Sequence, residues 1–162
     1  MKKAYLLIIF MFSVYTYAEN DDREYIYQSI NKPADFYFIF RNNSTQYIDV
    51  STDNHECKTT KKGFCIQNRA FELFIPEQFK SISKWEYNGY EYSRGMIKKL
   101  NILGKHFEGY EISRHIKNGE IKFFYTEKYG LIYFGIENNG HMQSLFISSL
   151  NCGLFALNSC DD

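Results

Sequence analysis

The stretch HFEGYEISRHIKNGEIKFFYTEKYGLIYFGIENNGHMQSLFIS, residues 106–148, decides the fold. Aromatic and branched residues are mixed there with charged ones in short runs, a composition that β-strands favour. Three turn signals separate the runs: Asn118-Gly119, Lys128-Tyr129-Gly130 and Asn139-Gly140. Asn-Gly between such runs is the strongest short-range hairpin signal, because both central residues of a type I′ turn need a positive φ. The stretch therefore predicts an antiparallel meander.

The same pattern continues toward the N-terminus. Asn88-Gly89 separates KWEY from YEYS and predicts a further hairpin. The segment MIKKLNIL, residues 96–103, fits either a helical stripe or an extended run, and its neighbouring strands favour a strand. The alternation of Phe107, Tyr110 and Ile112 is imperfect, which predicts a bulge near Gly109.

The first half of the chain is less regular. DFYFIF, residues 35–40, and YIDVST, residues 47–52, predict two strands joined by an Asn/Ser-rich turn. Helix content is expected to be low, with short turns in PEQFKSIS, residues 76–83, and after Asp22. The fold class is therefore mainly β: a curved antiparallel sheet or open barrel-like meander with one or two short helices.

The first eighteen residues predict export. Lys2 and Lys3 precede an apolar run from Ala4 to Val14, and Thr16-Tyr17-Ala18 resembles a cleavage site. The apolar run is shorter than the ~20 residues that span a bilayer, and no later segment is long and apolar enough to do so. We expect residues 1–18 to be a signal peptide of bacterial type, and residues 19–162 to form a single β domain. With no cysteine at the junction to carry a lipid, the expected location is periplasmic or secreted.

The cysteines also favour an oxidising compartment. All four lie in the mature part and form two groups, each with seven intervening residues: Cys57 with Cys65, and Cys152 with Cys160. An even count in an exported chain predicts two disulfides. Three connectivities are open, and pairing of neighbours needs the least assumption. The tail enclosed by the second pair, with Leu154, Phe155 and Leu157, is expected to pack against the body.

Net charge argues against a nucleic-acid partner. The leader removes two lysines and no acidic residue, which leaves 17 basic against 19 acidic side chains, or about −2. Nucleic-acid binding normally requires a basic footprint.

A family resemblance lies between residues 102 and 134. The residues that carry it are Gly104, Phe107, Tyr110, Ile112, Phe124-Tyr125-Thr126-Glu127 and Gly130-Leu131. This pattern resembles periplasmic proteins of the lipoprotein-carrier-like class, although Glu127 and Lys128 occupy the region of that class's corner proline. The resemblance implies a curved antiparallel sheet that cups an apolar ligand or a partner, with no catalytic residues to carry over.

Candidate binding residues come from the aromatic excess and from one basic loop. Trp85, Tyr87 and Phe124 are candidates for an exposed aromatic patch, because Tyr and Trp are enriched at interfaces. The alternative is that they fill the core. Alternation along its strand places Phe124 on the face opposite to the positions that are expected to point inward. Lys58, Lys61 and Lys62 lie in the first cysteine loop and are candidates for contacting an acidic partner, or else form a solvated hairpin tip.

Catalytic and metal motifs are weak. The histidines, His55, His106, His115 and His141, have no metal-site spacing, and Cys57 beside His55 is expected to be oxidised. No spacing singles out a pair among Glu108, Glu111, Glu120 and Glu127. We therefore expect no cofactor, no metal and no enzymatic activity.

These observations favour a non-catalytic binding protein that holds an apolar ligand or lipid on a curved β-sheet. The alternative is an inhibitor or immunity protein that binds a toxin or a wall-degrading enzyme. A hydrolase acting on envelope material is less favoured. The expected partners are thus an apolar small molecule or an envelope protein.

Overall fold

The computed structural model describes residues 23–57, 62–117, 119–138, 141–148 and 152–156. The proposed leader lies outside these residues, as do Lys58, Lys61, Leu157 and Cys160. Twelve strands are present in the described residues. They are β1 Tyr25–Gln28, β2 Tyr37–Phe40, β3 Ser44–Tyr47, β4 Val50–Asp53, β5 Gly63–Gln67, β6 Glu72–Pro76, β7 Lys84–Tyr87, β8 Tyr90–Ile102, β9 Lys105–Ile116, β10 Gly119–Thr126, β11 Gly130–Asn138 and β12 His141–Ile147.

Ten of these strands form one curved antiparallel sheet in the order β4-β3-β2-β1-β12-β11-β10-β9-β8-β7. Because β4 and β7 end the order unpaired with each other, the sheet is not closed into a barrel. This confirms the predicted curved antiparallel sheet. The strands β5 and β6 pair only with each other, as a separate hairpin.

The β5–β6 hairpin packs against the concave face of the sheet and completes the core. Just before β6, the ring of Phe71 contacts the rings of Phe123 and Phe134 from the middle strands, at 5.9 Å and 4.8 Å between centroids. At the other side of the hairpin, Phe74 contacts Tyr87, and its carbonyl accepts a 2.9 Å hydrogen bond from the Trp85 indole. The concave face is therefore largely filled by the chain's own hairpin.

The hairpins of the meander agree with the turn signals. Asn88 and Gly89 have φ angles of 51° and 79° and join β7 to β8, as a type I′ turn requires. The β9–β10 and β11–β12 pairings confirm the two other Asn-Gly hairpins, although Asn118, Asn139 and Gly140 themselves lie outside the described residues. Residues 96–103 fall largely in β8, so the strand interpretation is confirmed.

The predicted short helices are wrong: the described residues contain none. In the segment from Pro76 to Ser83, the Phe79 amide donates a hydrogen bond to the Pro76 carbonyl, and the Ser81 amide donates one to the Gln78 carbonyl. These two bonds form successive turns. The reason is tertiary, because the buried Phe79 ring packs edge-on against two core tyrosines and so fixes the chain there. The segment after Asp22 leads into β1, which inserts Tyr27 into the core.

Two further expectations also need correction. The register through Gly109 is regular, and the irregularities lie at Gly95–Met96 on the neighbouring β8 and beside Phe124 on β10. The run YIDVST is not one strand, because the chain turns at Ile48, whose φ is 53°. Ser44–Tyr47 and Val50–Asp53 consequently form two strands where one was expected.

The C-terminal segment 152–156 is tied to the core by hydrogen bonds. The Leu131 amide donates to the Leu154 carbonyl at 2.8 Å, and the Leu154 amide donates to the Tyr27 hydroxyl at 3.0 Å. That hydroxyl donates in turn to the Leu131 carbonyl at 2.7 Å. Phe155 stacks on Phe64 of β5. Leu154 and Phe155 therefore pack as predicted.

One of the two predicted disulfides lies within the described residues. The Cys57–Cys65 disulfide is present, which confirms the pairing of neighbours in the first group. The pairing of Cys152 with Cys160 stays a prediction, because Cys160 lies outside the described residues. None of the residues described here belongs to a helix long and apolar enough to cross a membrane.

Candidate ligand site

A cavity of about 210 Å³ lies between the tip of the β5–β6 hairpin and the concave face of the sheet. We call it the hairpin cavity. Its inner wall is apolar and buried, and consists of Phe38, Phe71, Phe123, Phe134 and Leu145. More exposed residues form its mouth: Phe36, Tyr47, Ala70, Ile121 and Gln143. Glu72 and Arg114 are the charged residues of the lining.

The hairpin tip is held in place by Asn68. Its side-chain oxygen accepts hydrogen bonds from the amides of Ala70 and Phe71, at 2.9 Å and 2.8 Å. Its side-chain nitrogen donates to the hydroxyl of the buried Thr45 on β3 at 2.9 Å and to the side-chain oxygen of Asn54 at 3.1 Å. Asn68 therefore both shapes the turn and connects it to the sheet, which fixes the position of the Phe71 ring in the cavity wall.

Glu72 and Arg114 form a buried polar pair beside the apolar wall. Their side chains are only 10% and 11% exposed, and Arg114 Nη1 lies 3.6 Å from Glu72 Oε1. The same Nη1 donates a 2.9 Å hydrogen bond to the Glu72 carbonyl. Asn88 and Tyr92 donate to the two carboxylate oxygens, at 2.8 Å and 3.3 Å. Burial raises the pKa of the Tyr92 hydroxyl, so Tyr92 is a neutral donor at physiological pH.

Arg114 has unused hydrogen-bonding capacity. Its guanidinium carbon lies 4.9 Å from the centroid of the Tyr90 ring, in cation–π geometry. Its Nε is buried and has no hydrogen-bond acceptor among the described residues. A buried donor without a partner is destabilising, and the guanidinium that carries it belongs to a residue of the cavity lining.

The predicted aromatic site residues lie in the core and do not form one site. Trp85 and Tyr87 are buried, and the Tyr87 hydroxyl donates to Gln67 at 2.7 Å. Phe124 does lie on the face opposite Phe123, as alternation predicts, but it is 0% exposed and stacks on Tyr133. Of the three lysines, the structure describes only Lys62, which is exposed. A binding role for these six residues stays a prediction.

The four glutamates considered for acid–base chemistry each pair with a different lysine. Lys99 lies near Glu108, Lys98 near Glu111, Lys122 near Glu120 and Lys80 near Glu127, at 2.7 to 3.4 Å. The Lys122 ammonium holds the pKa of the Glu120 carboxyl below its usual value. Within the described ranges, no group of three His, Cys, Asp or Glu side chains is arranged to hold a metal ion.

The sequence patterns do not indicate the lining of the hairpin cavity. Phe38 and Phe71 look like other core aromatics, and Glu72 and Arg114 lie 42 positions apart in the chain. The available signal was the run AFELFIP, residues 70–76, in which one glutamate stands among apolar residues. A charge inside such a run indicates a buried polar partner elsewhere in the fold.

No family model, curated protein or solved structure matches this chain. The resemblance to lipoprotein-carrier-like proteins therefore stays a prediction.

Proposed function

We propose that this protein is a non-catalytic binding protein that holds an apolar group of a small molecule or lipid in the hairpin cavity. The observation that carries the proposal is an apolar cavity bordered by a buried Arg114–Glu72 pair. Ligand sites are typically concave and mainly apolar, with a few polar groups that fix orientation. An exported, periplasmic protein remains part of the proposal, and the Cys57–Cys65 disulfide supports an oxidising compartment.

The cavity volume limits the ligand. A dry apolar cavity of ~150 Å³ accepts benzene, so about 210 Å³ suits one aromatic ring or a short alkyl chain. Typical drug-sized sites are larger, roughly 300–1,000 Å³. Because the β5–β6 hairpin fills the rest of the concave face, a long lipid would insert only its end, with the remainder outside the mouth.

The polar border predicts which apolar molecules bind best. Arg114 contributes a guanidinium to the lining, and the exposed Gln143 amide at the mouth offers both a donor and an acceptor. A short carboxylate or carbonyl compound satisfies both the apolar wall and Arg114. The preferred class is therefore an apolar chain or ring with one hydrogen-bond acceptor.

Titration with hexanoate and benzoate, followed by NMR shifts of the Leu145 methyl groups, tests the proposal. Both should give saturable shifts, whereas acetate, which has the carboxylate without the apolar part, should not. Ala70→Phe places a ring in the mouth and should abolish the shifts. Ala34→Phe adds the same ring at an exposed position outside the cavity and should leave them unchanged. Absence of saturable shifts, or equal binding by Ala70→Phe, would contradict the proposal.

A second candidate is a protein-binding role of the inhibitor or immunity type. One observation favours it: the distal half of the β8–β9 hairpin, in which β8 runs from Gly95 to Ile102, leaves apolar side chains and a strand edge exposed.

A further inference from the structure

The outer edge of β8 is open over much of its length. β7 pairs with β8 only from Tyr90 to Ser93, and the Arg94 amide makes one further bond, to Ser83. From Gly95 to Ile102, no strand in the described part of the chain pairs with this edge. Edge strands present backbone N–H and C=O groups that can template pairing with another extended chain.

The open edge also carries exposed apolar side chains. Met96 is 84% exposed and Ile97 54%, and Leu103 in the turn that follows β8 is 76% exposed. Elsewhere the large apolar side chains of the meander are mostly buried. Exposed apolar side chains beside unpaired backbone groups are characteristic of an interaction surface.

The strand that carries this edge is basic. Between Gly95 and Ile102 it holds Lys98 and Lys99 and no acidic residue. Lys98 and Lys99 pair with Glu111 and Glu108 of β9 but remain 49% and 82% exposed. Surface pairs of this kind contribute little to stability, so each lysine can exchange its partner for an acidic side chain of an added strand.

Two other occupants fit the edge less well. A second copy pairing antiparallel along the same edge would bring the Lys98-Lys99 pairs of the two chains together, and like charges facing each other across strands are destabilising. A bilayer would place unpaired backbone groups in hydrocarbon, where no partner satisfies them. An extended peptide backbone satisfies these groups directly.

We propose that the edge from Gly95 to Ile102 binds an extended segment of a partner protein, with acidic and apolar residues on both of its faces, as an added β-strand. Main-chain hydrogen bonds supply the affinity in this mode of recognition, and the alternate side chains supply the specificity. Met96 and Ile97 provide apolar contacts, and Lys98 and Lys99 meet the acidic side chains. The inference does not rest on the ligand role of the hairpin cavity.

Amide hydrogen exchange on the mature chain tests this proposal. The probe is a ten-residue synthetic peptide of repeated Glu-Glu-Val-Val units, which places glutamate and valine on both faces of a strand. The same peptide with lysine in place of glutamate is its charge control, and phosphatidylglycerol vesicles are the membrane control. The glutamate peptide should slow exchange about tenfold, confined to amides of residues 95–102, whereas both controls should have little effect. No protection by the glutamate peptide, or equal protection by the lysine peptide or the vesicles, would overturn the proposal.

Charge variants sharpen the test. Lys99→Glu should weaken binding of the glutamate peptide about fivefold, because one attraction becomes a repulsion at an exposed site. Lys32→Glu makes the same change at an exposed lysine in the β1–β2 connection, several strands away in the sheet, and should leave the affinity unchanged. Met96→Glu, at a position too exposed to affect folding, should also weaken binding. Equal affinity in all three variants, or protection of residues 95–102 by self-association without peptide, would overturn the proposal.

Discussion

The middle of the sheet and the distal half of β8 have similar strand chemistry but opposite environments. Phe123 and Phe134 face the β5–β6 hairpin, and Phe71 completes their burial. Met96 and Ile97 also lie on a long strand of the same sheet, yet they are 84% and 54% exposed, and no second layer from the described part of the chain covers them. Alternation in a strand therefore specifies two faces, but a covering element decides which positions become core and which remain available for a partner.

The largest expected effect is a difference in the free energy of unfolding between two variants, one from each region. Phe71→Ala removes a ring that contacts four core rings and should lower the free energy of unfolding by about 3–5 kcal/mol. Met96→Ala should change it by less than about 0.5 kcal/mol. Denaturant unfolding of both variants measures the contrast. Similar values would show that the distal part of β8 is covered in solution.

The Glu72–Arg114 pair should be the next most sensitive feature. Glu72→Gln removes the buried anion and leaves Arg114 without its counter-charge, which should cost about 3 kcal/mol. Replacing both residues by leucine should recover much of that loss, because no buried charge then remains unpaired. Chemical denaturation of the single and double variants tests this. A loss below about 0.5 kcal/mol in Glu72→Gln would mean that water reaches the pair.

Loss of the Cys57–Cys65 disulfide should have a smaller effect. Replacing both cysteines by serine frees a short loop, for which chain entropy gives about 2–3 kcal/mol. The variant should unfold earlier in denaturant but retain the Leu145 methyl shifts with hexanoate, because neither cysteine lines the hairpin cavity. Loss of ligand binding in a variant that is still folded would contradict this separation.

The smallest expected effect is absent at neutral pH and appears only at high pH, where two tyrosines should ionise differently. Burial raises the pKa of Tyr27 above its ordinary value of 10.0, so its contribution to stability is complete below that pH and is lost as the pH rises further. The Lys128 ammonium lowers the pKa of the outer Tyr129. Absorbance difference curves against Tyr129→Phe and Tyr27→Phe, which isolate one residue among the 14 tyrosines, should therefore show Tyr129 ionising in the folded chain and Tyr27 ionising only with unfolding. Reversible ionisation of Tyr27 in Tyr129→Phe before unfolding would contradict the buried environment.

The sequence predicted those features that depend on neighbouring residues. Asn88-Gly89 specifies its hairpin because both residues adopt positive φ readily, and no distant contact is needed. The turn at Ile48 gave no such signal, since a β-branched residue rarely has positive φ. Around Phe79 the chain forms the expected short turns and no helix, and the ring is buried against strands that are distant in sequence.

The candidate site could not be predicted in the same way. Arg114 reaches Glu72 only because β9 and the β5–β6 hairpin meet on the concave face. Alternation indicated correctly that Phe123 and Phe124 face opposite ways, but not that Phe124 would be fully buried and stacked on Tyr133. Cavities depend on how separate elements stack, and strand patterns carry no information about that stacking.

Diffraction from crystals held under xenon pressure would show whether the hairpin cavity accepts an apolar guest, because xenon enters dry apolar cavities without any polar contact. We expect a xenon atom between Phe71, Phe123 and Leu145, absent from the matched Ala70→Phe crystals and retained in Ala34→Phe. A hairpin cavity that stays empty of xenon in the wild-type chain, or that is closed by repacking of Phe71, would contradict this expectation.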